Sequence, residues 1–161
     1  MILYFLRHAD AEDASPGGDD LARPLTAAGI ESLTAAGHLW RRLNLRPDRV
    51  LTSPALRARQ TAELAVRGLG LTAPPTIVPE LAPGADWPAF ARAAIRWPDA
   101  RRVLFVGHEP DLSSVIAELT GAASVRMRKG GLACVEFPGT PEPGAGELAW
   151  LLDPDLYDGG S

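Results

Sequence analysis

Three short stretches of this chain carry side chains able to handle an anion. Arg7 and His8 follow an apolar run from Ile2 to Leu6. Ser53-Pro54-Ala55-Leu56-Arg57 follows Arg49-Val50-Leu51-Thr52, and Gly107-His108-Glu109-Pro110 follows the run from Arg102 to Val106. Two guanidinium groups offer forked donors that match phosphate oxygens. A helix starting at Ser53 or Glu109 adds backbone N–H groups and a partial positive charge. A neutral imidazole at His8 can attack phosphorus and hold the phosphoryl group covalently. His108, when protonated, can stabilise charge spread over the equatorial oxygens. Phosphoryl transfer asks mainly for positioning and charge neutralisation, which these groups supply without a metal or other cofactor. Neighbouring Arg charges disfavour imidazolium, so His8 is expected below its ordinary value of roughly 6.5, neutral and nucleophilic at neutral pH.

Taken singly, each stretch has a plainer reading. An Arg-His pair alone says little. Ser53-Pro54 alone is a helix start, Arg57 alone a solvated helix charge, and Gly107-His108 alone a strand end with a hydrogen-bonded core histidine. Their joint occurrence is what carries weight. Each sits at the exit of a predicted strand, where open α/β sheets bind their ligands. His38 lacks such a setting and reads as a surface or half-buried helix residue. Cys134 lies in an apolar run and reads as a small buried hydrophobe.

The elements that must position these groups follow from periodicity. Residues 2–8 and 102–106 are continuous apolar runs, as in a sheet covered on both faces. Thr26 caps a helix over 27–43, with Ile30, Leu33, Gly37 and Trp40 on its core stripe. Ser53 as cap and Pro54 in the first turn open a second helix, running to about Arg67 and stopping near Gly68 and Gly70. Thr76-Ile77-Val78 is a short strand. Asp86 caps a helix whose face holds Trp87, Phe90, Ala91, Ala94 and Ile95. Pro110 restarts a helix with Leu112, Val115, Ile116 and Leu119 inward, ended by Gly121. Residues 132–137 and 147–152 read as late strands, with 138–144 as the turn of a hairpin. Alternating strands and helices argue for an α/β layer architecture.

Composition narrows the classes. The 161 residues fit one domain spanning 1–161, with no internal repeat or dividing linker. A net charge of -4 gives no nucleic-acid footprint. Lys129 is the only lysine, so nearly all the cations are Arg. One cysteine makes no internal disulfide, which points to a reducing, cytoplasmic setting. The apolar start is too short for a signal peptide core or a membrane span. Three His and one Cys form no recognised zinc set, so no metal is expected.

At this point the motifs match a known family. Leu6-Arg7-His8-Ala9 resembles the Arg-His-Gly signature of the histidine phosphatase superfamily, the phosphoglycerate mutase-like fold. Arg23-Pro24-Leu25-Thr26-Ala27-Ala28-Gly29 resembles the segment that opens that family's first helix. Ser53-Pro54-Ala55-Leu56-Arg57-Ala58-Arg59-Gln60-Thr61-Ala62 is similar to its Ser-Pro-x-x-Arg-x-x-Gln-Thr block. Val106-Gly107-His108-Glu109-Pro110 resembles its second histidine motif. Lys129-Gly130-Gly131 and the stretch Trp150 to Pro154 resemble the short SixA-type branch. The resemblance implies a three-layer α/β/α fold with a mainly parallel sheet. It implies His8 as phosphorylated nucleophile and Arg7, Arg57 and His108 as the phosphate pocket, with Arg23 a further candidate.

Two departures stand out. Ala9 replaces the usual glycine, which is tolerable where the backbone has negative φ. Many members carry a general acid on an inserted, site-covering segment. Here residues 76–86 are short and offer Glu80 and Asp86, of which Glu80 is the better candidate. The short segment implies an open pocket suited to phosphate displayed on a protein, and SixA-type enzymes act on phosphohistidine. Transfer from a substrate imidazole to His8 exchanges one P–N bond for a similar one, and imidazole depends less on an enzymic acid than an alkoxide does. The expected partner is therefore a phosphohistidine-bearing protein or a small phosphate ester. The alternatives are a broad phosphomonoesterase, a mutase, and a weakly catalytic phosphate-binding module.

Overall fold

The structure, a computed structural model, describes residues 1–14 and 16–158. The chain runs β1 (Ile2–Arg7), α1 (Ala27–Arg42), β2 (Arg49–Thr52), α2 (Leu56–Leu69), β3 (Thr76–Ile77) and α3 (Trp87–Ala94). It continues through β4 (Arg102–Gly107), α4 (Asp111–Thr120), β5 (Leu132–Glu136) and β6 (Glu147–Leu152). Short 3-10 turns lie at Asp20–Ala22, Pro79–Leu81 and Pro154–Leu156. No helix among the described residues is long and apolar enough to cross a membrane.

The strands form one sheet in the order β3-β2-β4-β1-β5-β6. The first four are mutually parallel, and β5 and β6 are antiparallel at one edge. This is the three-layer, mainly parallel α/β arrangement. Strand side chains alternate between faces. Tyr4 and Leu6 of β1 join Leu104 and Val106 of β4 in a core with Leu33 and Trp40 of α1 and Ala58 and Ala62 of α2. Leu3, Phe5, Val103 and Phe105 point the other way, onto Phe90 of α3 and Leu112 and Ile116 of α4. Burial on both faces is why β1 and β4 are apolar throughout.

The helix boundaries follow the expected caps with three corrections. Thr26 Oγ1 accepts from Gly29 N, and Asp86 accepts from Ala89 N, as caps. Gly70 and Gly121 end α2 and α4 in the left-handed conformation. Ser53 does not cap α2, which begins at Leu56. Ile30 is 41% exposed, because the buried stripe of α1 runs through Gly29, Leu33, Ala36, Gly37 and Trp40, one residue out of phase with it. Ile95 is 73% exposed, because α3 ends at Ala94 before another turn can bring it inward. Gly37 allows α1 to touch α2: a Cβ there would lie 2.9 Å from Gly68 Cα.

Candidate active site

Sheet register assembles the site. In the β1–β4 ladder Arg7 pairs with Gly107, and in the β2–β4 ladder Thr52 pairs with Val106. The pattern continues past the strand ends, since His8 N–H donates to Gly107 O at 3.1 Å and Ser53 N–H to Val106 O at 3.1 Å. His8, Ser53 and His108 thus leave the carboxyl ends of three adjacent parallel strands at nearly one level. The two imidazole rings stand 5.3 Å apart, centroid to centroid, tilted by 55°.

The His8 ring is 7% exposed and held by its neighbour. His8 Nδ1 lies 2.8 Å from Ala9 O, a carbonyl that can only accept, so Nδ1 carries the proton and Nε2 keeps a free lone pair. Ala9 N–H donates to Thr61 Oγ1 at 3.2 Å, and Thr61 in turn donates to Arg57 O at 2.7 Å. Gln60 Oε1 accepts from Leu25 N at 2.7 Å. The Gln-Thr end of the central block therefore pins the loops on either side of the site. Among the described residues Asn44 is the one non-glycine with positive φ, so the Ala9 methyl causes no backbone strain.

His108 is 3% exposed. Its Nε2 lies 2.7 Å from Ser53 Oγ. Ser53 Oγ accepts from Ala55 N at 3.2 Å and keeps one hydrogen and a second lone pair, so it can donate to a neutral His108 Nε2 or accept from a protonated one. This is why Ser53 is not free to cap α2. The N-terminus of α4 is committed in part: Glu109 accepts from Ser113 N at 2.9 Å, and Leu112 N–H donates to His108 O at 2.9 Å. These bonds commit Leu112 N–H and Ser113 N–H and do not involve Glu109 N–H or Asp111 N–H.

Arg7 Nη1 donates to Met127 O at 2.8 Å. Arg57 is 5% exposed and held by one residue: Nη1 donates to Asp20 O at 2.8 Å and Nη2 to Asp20 Oδ2 at 3.1 Å. Arg23 Nη1 reaches Asp20 Oδ1 at 2.9 Å and Arg23 Nε reaches Glu12 O at 2.7 Å. Lys129 pairs with Asp10 at 3.1 Å, and the next residue, Gly130, has its N–H 3.1 Å from both Arg7 O and His8 O. Among the described residues five side-chain nitrogens are buried without a partner. Three are Arg7 Nε, Arg57 Nε and His108 Nδ1; the others are Trp40 Nε1 and Arg59 Nε.

Electrostatics set both rings neutral. Burial pushes His8 down to about 4, outweighing the Ala9 carbonyl, with Arg57, Arg7 and Lys129 adding to the fall. Desolvation rather than arginine charge is the larger cause. Burial also lowers His108 to about 3, helped by His8 and Arg57. Arg7 is lowered by burial and partly restored by Glu109.

Glu80 makes no hydrogen bond or ion pair with these residues. It lies in the Pro79–Leu81 turn, ion-paired with Arg96, its carboxyl held below the usual range by a backbone hydrogen bond and by that arginine. Asp86 is spent as the α3 cap. His38 is exposed on α1, 3.0 Å from Arg41. Cys134 is buried in β5, its thiol pushed up to about 12 by desolvation. Sequence reading missed Asp20, Thr61 and the Ser53–His108 contact. Thr61 had a signal in the Gln-Thr pair, and Asp20 had none.

Known proteins resemble this chain in sequence and fold. The sequence pattern of the histidine phosphatase superfamily (branch 1) matches residues 3–83. An uncharacterised protein of Picosynechococcus sp. is 44% identical over 116 residues, covering 70% of this chain and 68% of that one. Phosphohistidine phosphatase SixA of Escherichia coli is 29% identical over 157 residues, covering 96% of this chain and 94% of its own. A solved structure of the protein histidine phosphatase SixA with tungstate superposes with a TM-score of 0.84 at 29% identity, covering 97% of this chain and 99% of the other. With sequence and architecture in agreement from end to end, this chain belongs to the histidine phosphatase superfamily, in its SixA-type branch.

Proposed function

We propose that this phosphatase works through a covalent phosphohistidine on His8 and that its substrate is phosphohistidine in a protein. In this reading His8 Nε2 attacks phosphorus, forming one P–N bond as the substrate's P–N bond breaks. The departing imidazole takes a proton from solvent. Water then attacks the phosphoenzyme, phosphate leaves, and His8 returns to its neutral form. Arg7, Arg57 and His108 hold the phosphoryl oxygens, and Arg23 steadies Arg57 through Asp20 rather than by touching the substrate.

The observation that supports this most is the set of buried nitrogens. Arg7 Nε, Arg57 Nε and His108 Nδ1 lack partners among the described residues. An unpaired buried donor costs about 1–3 kcal/mol. A protein retains three of them around one imidazole where a ligand repays the cost, and phosphate oxygens are acceptors of the right number and charge. Arrival of a phosphate dianion also favours the imidazolium form of His108, turning a neutral donor into a charged one as charge develops.

Phosphohistidine fits better than an ester on the leaving-group side. Glu80, the carboxylate first considered as proton donor, is paired with Arg96 and its carboxyl is held low, the reverse of what a general acid needs. An imidazole leaving group relaxes that need. The reaction is expected where cytosolic phosphohistidine proteins occur.

Two comparisons test the reading. Hydrolysis of a phosphohistidine protein is measured beside p-nitrophenyl phosphate and a panel of phosphate esters, and the phosphohistidine protein is expected to be preferred. Esters turned over far faster would make this a phosphomonoesterase. His8→Ala is expected to abolish turnover, and unchanged hydrolysis would remove the covalent mechanism.

A further inference from the structure

Among the described residues Asp20 is the acid that hydrogen-bonds Arg57 of the proposed phosphate pocket, and nothing in the pocket's chemistry requires an acid there. It belongs to the exposed loop between β1 and α1, yet it occupies both terminal nitrogens of the buried Arg57, one with its carbonyl oxygen and one with its carboxylate. The other carboxylate oxygen holds Arg23. Its own helix turn is fixed by Asp19, which accepts from Leu21 N at 3.0 Å. A guanidinium is planar, so fixing both Nη atoms fixes the direction of Nε. The atom left without a partner is Arg57 Nε. Arg57 is therefore held from behind by its fork, with its remaining donor edge unspent.

We propose that Asp20 is a positioning residue: it acts through Arg57, clamping the fork so that the Nε edge stays turned toward the phosphoryl group. This rests on the reading of Arg57 as a phosphate ligand. Two opposing effects follow from the same carboxylate. As a clamp it favours phosphate binding, because an oriented arginine loses less freedom when it binds. As a negative charge beside two arginines it disfavours an arriving anion. The clamp is the larger effect, since Arg57 is 5% exposed and has no other partner for Nη2 among the described residues.

Asn and Ala separate these effects. Asp20→Asn keeps an oxygen for Nη2 and removes the charge, whereas Asp20→Ala removes both. The probe is inorganic phosphate, titrated calorimetrically into each folded variant, alongside kcat and KM for p-nitrophenyl phosphate. Asp20→Ala is expected to weaken phosphate about tenfold, the equivalent of one charge-assisted hydrogen bond, and to raise KM. Asp20→Asn is expected to bind at least as tightly as the parent. Tighter phosphate in both variants would make Asp20 a competitor of the substrate and overturn the clamp. Unchanged phosphate affinity in Asp20→Ala, with only a lowered melting point, would make it a structural residue and also overturn it. Arg57→Ala is the control: if it binds phosphate as well as the parent, the reading of the pocket fails, and if it binds weakly while Asp20→Ala does not, only the clamp fails.

Discussion

Ser53→Ala removes one buried oxygen and tests how His108 is aimed. The hydroxyl is fully buried, lies 2.7 Å from His108 Nε2 and accepts from Ala55 N at 3.2 Å. Without it the ring loses the contact that fixes its orientation, since Nδ1 has no partner among the described residues. Both ring nitrogens are then buried without a partner among the described residues, and Ala55 N–H loses its acceptor as well. Each such group costs about 1–3 kcal/mol, so the fold should lose on the order of 2 kcal/mol. The catalytic effect is separate. Loss of an aimed donor to a charged phosphoryl group is worth about 1.5–3 kcal/mol, which is roughly a 10- to 100-fold fall in kcat/KM. Hydrolysis of p-nitrophenyl phosphate and urea unfolding read the two effects independently. A variant that is less stable but keeps kcat/KM within about twofold of the parent would refute the argument that Ser53 orients His108 for catalysis.

Three further outcomes are expected. Both histidines have native values far below the unfolded value of roughly 6.5, so the unfolded chain binds more protons as pH falls; stability is fully present above that value and declines from there to about pH 3. By about pH 4 the loss is on the order of 3 kcal/mol for each ring by urea unfolding, and the rings titrate as a pair. An NMR titration showing His8 protonated above about pH 7 without phosphate would contradict the assignment. Gly37→Ala drives a methyl into the Gly68 backbone at 2.9 Å. The clash costs about 1–3 kcal/mol against a gain of about 1 from helix propensity, so the urea midpoint should fall; an unchanged midpoint would mean the helices part easily. Glu80→Gln is expected to leave hydrolysis of a phosphohistidine protein unchanged, since the carboxylate is bound to Arg96; a large loss of kcat would make it the proton donor after all.

Much of this was legible in the residues, for a physical reason. The sheet buries β1 and β4 on both faces, which forces unbroken apolar runs and marks where each strand ends. The polar residue after each run is then exposed to notice, and parallel register brings the three exits together. Helix phase was harder. Ile30 looks like a core residue by type, but Gly29, which meets the Asp10 backbone, sets the true stripe. Loop geometry was illegible. The stretch Ala9 to Leu25 has no periodicity, and Asp20 meets Arg57 across 37 residues. The lowering of His8 was foreseen from arginine charge, yet burial dominates, because only packing reveals how little water reaches the ring.

The account stands or falls on where the phosphoryl group goes. Rapid mixing with substrate, an alkaline quench and mass spectrometry of the digested enzyme should find one phosphoryl group on His8. Phosphorus NMR of the trapped species should place it on Nε2, because Nδ1 is bound to the Ala9 carbonyl. A phosphoryl group on another side chain, on Nδ1, or on none at any time during turnover would contradict the mechanism.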